Sequence, residues 1–235
     1  QQDCSGYEIA DDRLMAVICD GMGGENDGKK ASNTAVGEFL NQYLLSENDG
    51  KPDDFFEKAI VSANSAICSF TDKNGNMTCA GTTVVCILIA DGLLRWASVG
   101  DSRLYILRDN ELVQATTDHN YALSLSEQLK NGNIDRQTYE TEMLQGDGLT
   151  SFLGVGREMQ VDINVRGIPL HSGDRILMTT DGLYKLVSDE EINRILTNFK
   201  NIGEAVQALE MKAAHGAQKK RAVRDNMTIA LVNMK

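Results

Sequence analysis

Proline is scarce in this chain, and it has no long hydrophobic runs. Only two of its 235 residues are proline, while 42% are hydrophobic, which excludes a disordered or fibrous chain and predicts a compact one. We expect a single domain over residues 1–235, because a chain of this length can form one large core. No apolar stretch is long enough to span a bilayer, and no signal peptide opens the sequence. The sequence begins with Gln1 instead of Met, so we expect a further strand upstream of it.

Positive charge is also in short supply. The chain has 23 lysines and arginines against 34 aspartates and glutamates, which gives a formal net charge of −11. An acidic surface repels phosphate polyanions, so nucleic acids and anionic membranes are poor partners. The basic cluster of Lys219, Lys220, Arg221 and Arg224 is too short to change this, and we interpret it as a solvated segment.

The cysteines show no pattern of disulfide pairing. There are five, an odd number without close spacing, and Cys19 and Cys86 lie inside apolar runs, where a free thiol acts as a small hydrophobic group. A reducing compartment is therefore expected, and we predict a cytoplasmic protein.

Strands and helices are mixed along the sequence. Hydrophobic spacing predicts helices over 28–45, from Pro52 to about Phe70, over 188–199 with Ser188 as the N-cap, and over 203–216. Strands are predicted over 12–20, as an antiparallel meander over 82–116, within 159–184 and over 225–234. The polar segment of about 118–148 has no apolar run long enough for a core strand and is interpreted as an inserted flap. This order favours an α+β layered sandwich over a doubly wound parallel sheet.

Three aspartates lie at the ends of predicted strands. Asp20 and Asp181 each end an apolar strand and are followed by glycine, and Asp225 begins the last strand. If that strand is antiparallel to the other two, the three carboxylates gather at one rim, where they need a cation to stay ionised together. Carboxylate oxygens without histidine or thiolate suit Mg²⁺ or Mn²⁺. Asp-Gly is also a common turn dipeptide, and for Asp20 or Asp181 alone a plain strand end is the better interpretation.

Seven short motifs in sequence order resemble those of the metal-dependent protein phosphatase family, the type 2C serine/threonine phosphatases. They are Gln2-Asp3, DGMGG at 20–24, GTT at 81–83, GDSR at 100–103, LTSFLG at 149–154, TTDGL at 179–183 and Asp225-Asn226. Together they extend over nearly the whole chain, which makes the resemblance specific although no single motif is. The resemblance implies a four-layer α-β-β-α sandwich, in which helix pairs flank two antiparallel sheets.

The resemblance also implies a site with two Mn²⁺ or Mg²⁺ ions. Asp20 would bridge both ions, the carbonyl of Gly21 would complete one site, and Asp181 and Asp225 would hold the other ion. Asp3 would orient metal-bound water from outside the direct ligands. Asp101 matches a position that binds a weaker third metal in bacterial members, although a β-turn aspartate is an equally good interpretation of it.

The implied activity is hydrolysis of phosphoserine and phosphothreonine in proteins. A hydroxide bridging the two ions would attack directly, without a phosphoenzyme. Met22 after the first Asp-Gly is typical of bacterial members of the family. A serine/threonine kinase is the expected counterpart of the enzyme, and we predict that the enzyme is a monomer. The alternative is a catalytically weak or inactive phosphatase-like regulatory or binding module. The presence of Asp3, Asp20, Asp181 and Asp225 favours the enzyme.

Overall fold

The computed structural model describes residues 1–10, 12–24, 26–49, 54–156, 159–220 and 225–235. The strands in these ranges are β1 (Cys4–Ala10), β2 (Arg13–Cys19), β3 (Gly21–Met22), β4 (Gly81–Thr82), β5 (Val84–Ala90), β6 (Leu93–Val99), β7 (Arg103–Arg108), β8 (Glu111–Gln114), β9 (Asp162–Pro169), β10 (Arg175–Thr179) and β11 (Ile229–Asn233). The helices are α1 (Asp27–Asp49), α2 (Phe55–Cys68), α3 (Tyr121–Lys130), α4 (Arg136–Glu142), α5 (Asp181–Tyr184), α6 (Asp189–Asn198) and α7 (Ile202–Lys220), with a 3-10 helix at Met143–Gln145.

Two antiparallel sheets form the centre of the molecule. One has the strand order β1-β2-β5-β6-β9 and the other the order β11-β10-β7-β8, while β3 and β4 form a separate two-stranded ribbon. The hairpins turn at Asp91-Gly92 and Asp109-Asn110, where both residues of each pair have positive φ. These are turn residues that tolerate the left-handed conformation, as their sequence predicts.

Three hydrophobic cores separate four layers. Alternate residues of β2 point in opposite directions: Met15 and Val17 pack against α1 and α2, whereas Ala16 and Ile18 pack against the second sheet. The third core lies between the second sheet and helices α5 to α7. The strands β2 and β5 read as continuous apolar runs because both of their faces are covered. The predicted α-β-β-α sandwich is confirmed.

The predicted helices are present with adjusted ends. Helix α2 begins at Phe55, and Pro52, where we expected its start, lies outside the described residues. Ser188 caps α6 as predicted, with its Oγ accepting a hydrogen bond from the Glu191 amide at 3.4 Å. The predicted flap contains α3, α4 and the 3-10 helix, and no strand among its described residues. No helix in the described ranges has the length and apolar character needed to cross a membrane.

The predicted continuous meander over 82–116 is wrong. Strands β5 and β6 form a hairpin in the first sheet, whereas β7 and β8 form one in the second, so the chain changes sheets between β6 and β7. Gly100 makes this crossing with φ of 102°. A Cβ at this position would overlap the side chain of Thr83, so glycine meets both requirements.

Two strand ends differ from prediction beside the acidic residues. Strand β10 ends at Thr179, and Asp181 begins the one-turn helix α5 instead of ending the strand. Strand β11 begins at Ile229, four residues after Asp225. Pairing continues past the named strand end through the Thr180 amide, which donates to the carbonyl of Thr228 at 3.2 Å. Strands β10 and β11 are antiparallel, as the convergence of the carboxylates requires.

Candidate active site

The aspartates singled out from the sequence share one cleft. This cleft has a volume of about 310 Å³, and Asp20, Asp181 and Asp225 line it together with Asp101. Asp147 from the flap lines it as well. Asp3 is not part of the lining, but its side chain is close enough to Asp20 to interact with it directly. The topology thus brings together residues that are more than two hundred positions apart in the chain.

The GTT motif fixes the backbone of Asp20, directly after β2. The Asp20 amide donates to Thr83 Oγ1 at 3.0 Å, and the Thr83 amide donates back to the Asp20 carbonyl at 2.9 Å. Thr82 Oγ1 also donates to that carbonyl, at 2.8 Å. Thr83 Oγ1 also lies 2.7 Å from Ser102 Oγ of the GDSR motif. The uncharged hydroxyl groups of these two motifs therefore hold Asp20 in place.

The glycine after each buried aspartate allows two backbones to meet. A Cβ on Gly21 would overlap the backbone of Gly28 in the first turn of α1. A Cβ on Gly182 would overlap the carbonyl of Asn226, next to Asp225. The Asp-Gly pairs are therefore packing requirements of the cleft and not simple turns.

Asp3 is held between the two sheets by threonines. Its Oδ2 accepts hydrogen bonds from Thr180 Oγ1 at 3.0 Å and from Thr228 Oγ1 at 2.7 Å. Thr180 Oγ1 in turn accepts from the Thr228 amide at 2.9 Å. Burial raises the pKa of the Asp3 carboxyl despite these hydrogen bonds. The sequence motif TTDG was recognised, but the role of its second threonine was not predicted.

Asp20 is in an unfavourable electrostatic position. Burial, followed by the negative charges of Asp3 and Asp181, raises its pKa to about 9, and Asp225 adds to the effect. An ionised Asp20 therefore requires a nearby positive charge. This is the electrostatic condition under which a carboxylate cluster binds a cation.

The unpaired oxygens of the cluster fit divalent metal ions. Oδ1 of Asp3 and Oδ1 of Asp181 are buried and have no hydrogen-bond partner among the described residues. No group of three or more His, Cys, Asp or Glu side chains in the described part of the chain closes around one point as a complete metal cage. Mg²⁺ usually keeps several waters and takes only one or two carboxylates, so this dispersed oxygen set suits such an ion better than a dedicated cage.

Asp101 lies deep in the cleft, and only 4% of its surface is exposed. Burial and the charge of Asp181 raise the pKa of Asp101 to about 6, while Lys185 opposes this shift. The Tyr184 hydroxyl donates to the backbone carbonyl of Asp101 at 2.9 Å. Asp101 is thus close to Asp181 in the same cleft.

Lys185 and Asp147 were not predicted from the sequence. Lys185 Nζ lies 2.7 Å from Asp181 Oδ2 and 3.5 Å from Asp147 Oδ2. Lys185 directly follows the helical turn that Asp181 begins, and residues four apart on a helix are neighbours. The four-residue spacing of Asp181 and Lys185 indicates an ion pair only where the chain is helical, and the sequence around Asp181 predicts a strand end instead.

His119 has a structural role at the crossing between the two sheets. Its Nδ1 accepts a hydrogen bond from the Gly100 amide at 3.1 Å, so it stabilises the crossing between the sheets. Burial lowers the pKa of His119, which favours the neutral ring needed for this bond. Two further cavities, of about 410 and 530 Å³, flank the flap helix α3 on either side of this region.

Comparisons with known proteins match nearly the whole chain. Residues 1–217 match the family described as Protein phosphatase 2C. The serine/threonine phosphatase Stp of Listeria monocytogenes serotype 4b is 28% identical over 232 residues, covering 96% of this chain and 86% of its own. The likeness therefore applies to the whole sandwich and not to a single motif.

Two solved structures share the fold. The serine/threonine phosphatase of S. agalactiae superposes with a TM-score of 0.82 at 26% identity, covering 100% of this chain and 93% of its own. The catalytic domain of the serine/threonine protein phosphatase PstP, solved in complex with two manganese ions, gives a TM-score of 0.72 at 27% identity, with 97% and 90% covered. Both likenesses include the two sheets whose ends form the cleft.

Proposed function

Because this chain belongs to the protein phosphatase 2C family, we propose that its acidic cleft hydrolyses phosphoserine and phosphothreonine in proteins with two Mn²⁺ or Mg²⁺ ions bound. The chain is a metal-dependent serine/threonine phosphatase, and the proposal assigns that activity to particular residues. The observation that carries it is the convergence of Asp20, Asp181 and Asp225 on one cleft, with a buried carboxylate oxygen left unpaired among the described residues.

We assign the metal ligands as the resemblance suggests. Asp20 would contact both ions, with the Gly21 carbonyl on one of them and Asp181 and Asp225 on the other. When bound, such ions lower the pKa of a coordinated water and offset the negative charge of the phosphoryl group. The third ion that the resemblance implies at Asp101 is not part of this assignment, because the Lys185 ammonium lies 2.7 Å from Asp181 Oδ2 and also acts on Asp101.

The protein's own contribution is to orient the carboxylates. Thr82 and Thr83 fix the backbone of Asp20, and so determine the direction in which its carboxylate enters the cleft. Thr180 and Thr228 hold Oδ2 of Asp3, while its Oδ1 is buried without a hydrogen-bond partner among the described residues. Held this way, Asp3 can accept a proton within the cleft without leaving its place.

A cysteine nucleophile is not supported. Cys19 and Cys86 are buried, and burial raises the pKa of each thiol well above its usual value. Burial also raises the pKa of Cys4. A reactive cysteine needs the opposite, a lowered pKa and an accessible position. Among the described residues, no cysteine lines the cleft.

The substrates are phosphoproteins, and the finer assignments remain proposals. We propose a serine/threonine kinase as the counterpart, a monomeric enzyme and a cytoplasmic location. The net charge of −11 supports protein over nucleic-acid partners. The alternative of an inactive binding module loses support because each proposed carboxylate ligand is present in the cleft.

The proposal is tested by hydrolysis of an aryl phosphate and a phosphothreonine peptide with Mn²⁺, with and without chelator. Asp181→Asn and Asp225→Asn should each lower kcat/KM by about 100-fold or more, the scale of losing an electrostatic catalytic contact. Asp109→Asn is the matched control, because Asp109 lies in the β7–β8 turn and asparagine tolerates its φ of 52°. Activity that survives chelation, or cleft variants as active as the control, would contradict the proposal.

A further inference from the structure

Lys185 places an ammonium group between the acidic cleft and the flap. Its Nζ lies 2.7 Å from Asp181 Oδ2 and 3.5 Å from Asp147 Oδ2. The Asp181 side chain is only 13% exposed, whereas that of Asp147 is 84% exposed. Lys185 therefore joins a largely buried carboxylate of the site to an exposed carboxylate of the flap.

The backbone around Asp147 makes this contact a property of the flap. The Tyr121 amide donates to the Gly148 carbonyl at 2.8 Å, and the Ala122 amide donates to the Gly146 carbonyl at 2.9 Å. The residues on both sides of Asp147 are thus bonded to the first turn of α3. A contact to Asp147 consequently holds that helix as well.

Lys185 also interacts with a second carboxylate of the cleft, that of Asp101. Asp101 and Asp181 are close enough to repel each other, and Lys185 acts on both. The Tyr184 hydroxyl, one residue before the lysine, is bonded to the Asp101 carbonyl and fixes this turn next to Asp101. Carboxylates that repel each other are stabilised by a nearby cation, and the lysine ammonium supplies one as a compact point charge.

We propose that Lys185 is a positioning residue whose ammonium takes the place of a third metal ion beside Asp101 and Asp181 and ties the flap to the cleft through Asp147. The inference rests on the proposed function for the presence of two catalytic ions. It adds that this chain uses a covalently attached cation where the family resemblance implies a weaker third ion. The flap is then held near the site independently of the metal concentration.

The first test counts bound Mn²⁺ per chain by titration calorimetry and by metal analysis after equilibrium dialysis. The wild type should bind two ions, and Lys185→Met should gain a weaker third one. Lys58→Met is the matched control, because Lys58 of α2 forms an exposed ion pair with Asp54, the residue before this helix, and neither residue lines the cleft. It should bind two ions like the wild type.

The outcomes separate the two proposals. Binding of no Mn²⁺ by the wild type would refute the proposed function itself. Three ions on the wild type, or only two on Lys185→Met, would overturn the inference and leave the proposed function standing. Lys185→Gln provides a second uncharged variant should the methionine variant not fold, and the same counts apply to it.

The second test follows flap opening by hydrogen exchange in metal-free protein, where catalysis plays no part. The amides of Tyr121 and Ala122 should exchange roughly threefold to tenfold faster in Lys185→Met and in Asp147→Asn than in the wild type. Lys185→Arg keeps the charge and should restore most of the protection. Exchange at the wild-type rate in both uncharged variants would show that Lys185 does not hold the flap.

Discussion

Asp20 shows how burial and charge conflict within a single residue. Its pKa is raised to about 9 by burial and by the neighbouring carboxylates, so in metal-free protein the folded state keeps a proton that the unfolded chain releases near pH 4. Between these two values the unfolded state binds fewer protons than the folded state, and the free energy of unfolding falls as the pH rises. The catalytic arrangement therefore costs stability until a cation is present.

Asp20→Asn should remove this cost. In metal-free protein at pH 8 the variant should melt above the wild type, by about 2–4 °C for each kcal/mol of relieved repulsion in a chain of this size. The difference should shrink as the pH falls toward 4 and disappear below it, where the wild-type carboxyl becomes protonated in both states. Calorimetry across this pH range checks the prediction, with Asp109→Asn as a control whose melting should follow the wild type. A wild type that melts above Asp20→Asn at pH 8 without metal would contradict it.

The site residues that could be located from the sequence differ physically from those that were missed. Asp20 directly follows a buried strand, and Gly21 after it interrupts the apolar run, so Asp20 could be found from the sequence pattern. Lys185 and Asp147 act through a one-turn helix and a polar loop, which carry no hydrophobic period. The supporting hydroxyl of Thr228 could not be assigned because its partner, Asp3, is 225 positions away. Local sequence indicates strand ends, but it does not indicate which side chains meet across two sheets.

At the level of elements, one ion-pair network joins the flap to the second sheet. Arg103 of β7 binds Asp118, where the flap begins, with its Nη2 2.6 Å from Asp118 Oδ2 and its Nε bonded to the same carboxylate. Its guanidinium lies 3.6 Å from the centre of the Tyr184 ring and donates to the Tyr105 hydroxyl at 2.8 Å. Tyr105 in turn donates to Asp189 at the start of α6. A single arginine thus connects β7, the flap and the two helices that follow β10.

Arg103→Met should therefore destabilise the protein by roughly 2–4 kcal/mol, because it leaves the largely buried Asp118 carboxylate without its charged partner, with the hydrogen bond from Gln114 remaining. The two side chains are 19% and 12% exposed. The matched control is Arg136→Met, whose ion pair with Glu140 has side chains 87% and 65% exposed. Exposed pairs contribute little, so urea denaturation should give the control the stability of the wild type. Equal losses in both variants would argue against the network.

The flap itself presents an apolar side chain next to the cleft. Leu144 is 88% exposed in the 3-10 helix, three positions before the cleft residue Asp147. We predict that Leu144→Ser lowers kcat/KM for a phosphopeptide by roughly threefold to tenfold, the scale of about 1 kcal/mol of lost contact. Hydrolysis of a small aryl phosphate should not change, because Leu144 is not part of the cleft lining that such a substrate contacts.

A buried flap residue supplies the comparison for that measurement. Leu125 is the buried residue of α3, and only 1% of its surface is exposed. Leu125→Ala should therefore lower the free energy of unfolding by about 2–5 kcal/mol and should not act on one substrate class alone. If Leu144→Ser lowers hydrolysis of both substrates equally, the flap is a structural element and not a substrate contact.

At the scale of the whole molecule, hydrophobic spacing was sufficient for the individual strands and helices but not for their division between two sheets. The two sheets flanked by helix pairs were implied by the resemblance to the phosphatase family. The crossing at Gly100 was missed because a strand shows the same alternation whichever sheet it joins. The site depends on that crossing, since it places the GDSR motif beside Thr83 and Asp20.

The cleft lies where both sheets end, so bound metal should stabilise them together. Asp20 follows β2 of the first sheet, whereas Asp181 and Asp225 belong to the connections around β10 and β11 of the second. Mn²⁺ at about 100 times its dissociation constant should add about 2.7 kcal/mol, a melting increase of roughly 5–10 °C that chelator reverses. Hydrogen exchange should slow at the Thr83 amide, which is bonded to Asp20, and at the Thr180 amide, which is bonded to Thr228. Asp225→Asn should lose most of the melting increase, and protection confined to one sheet would show that the ions do not join the two.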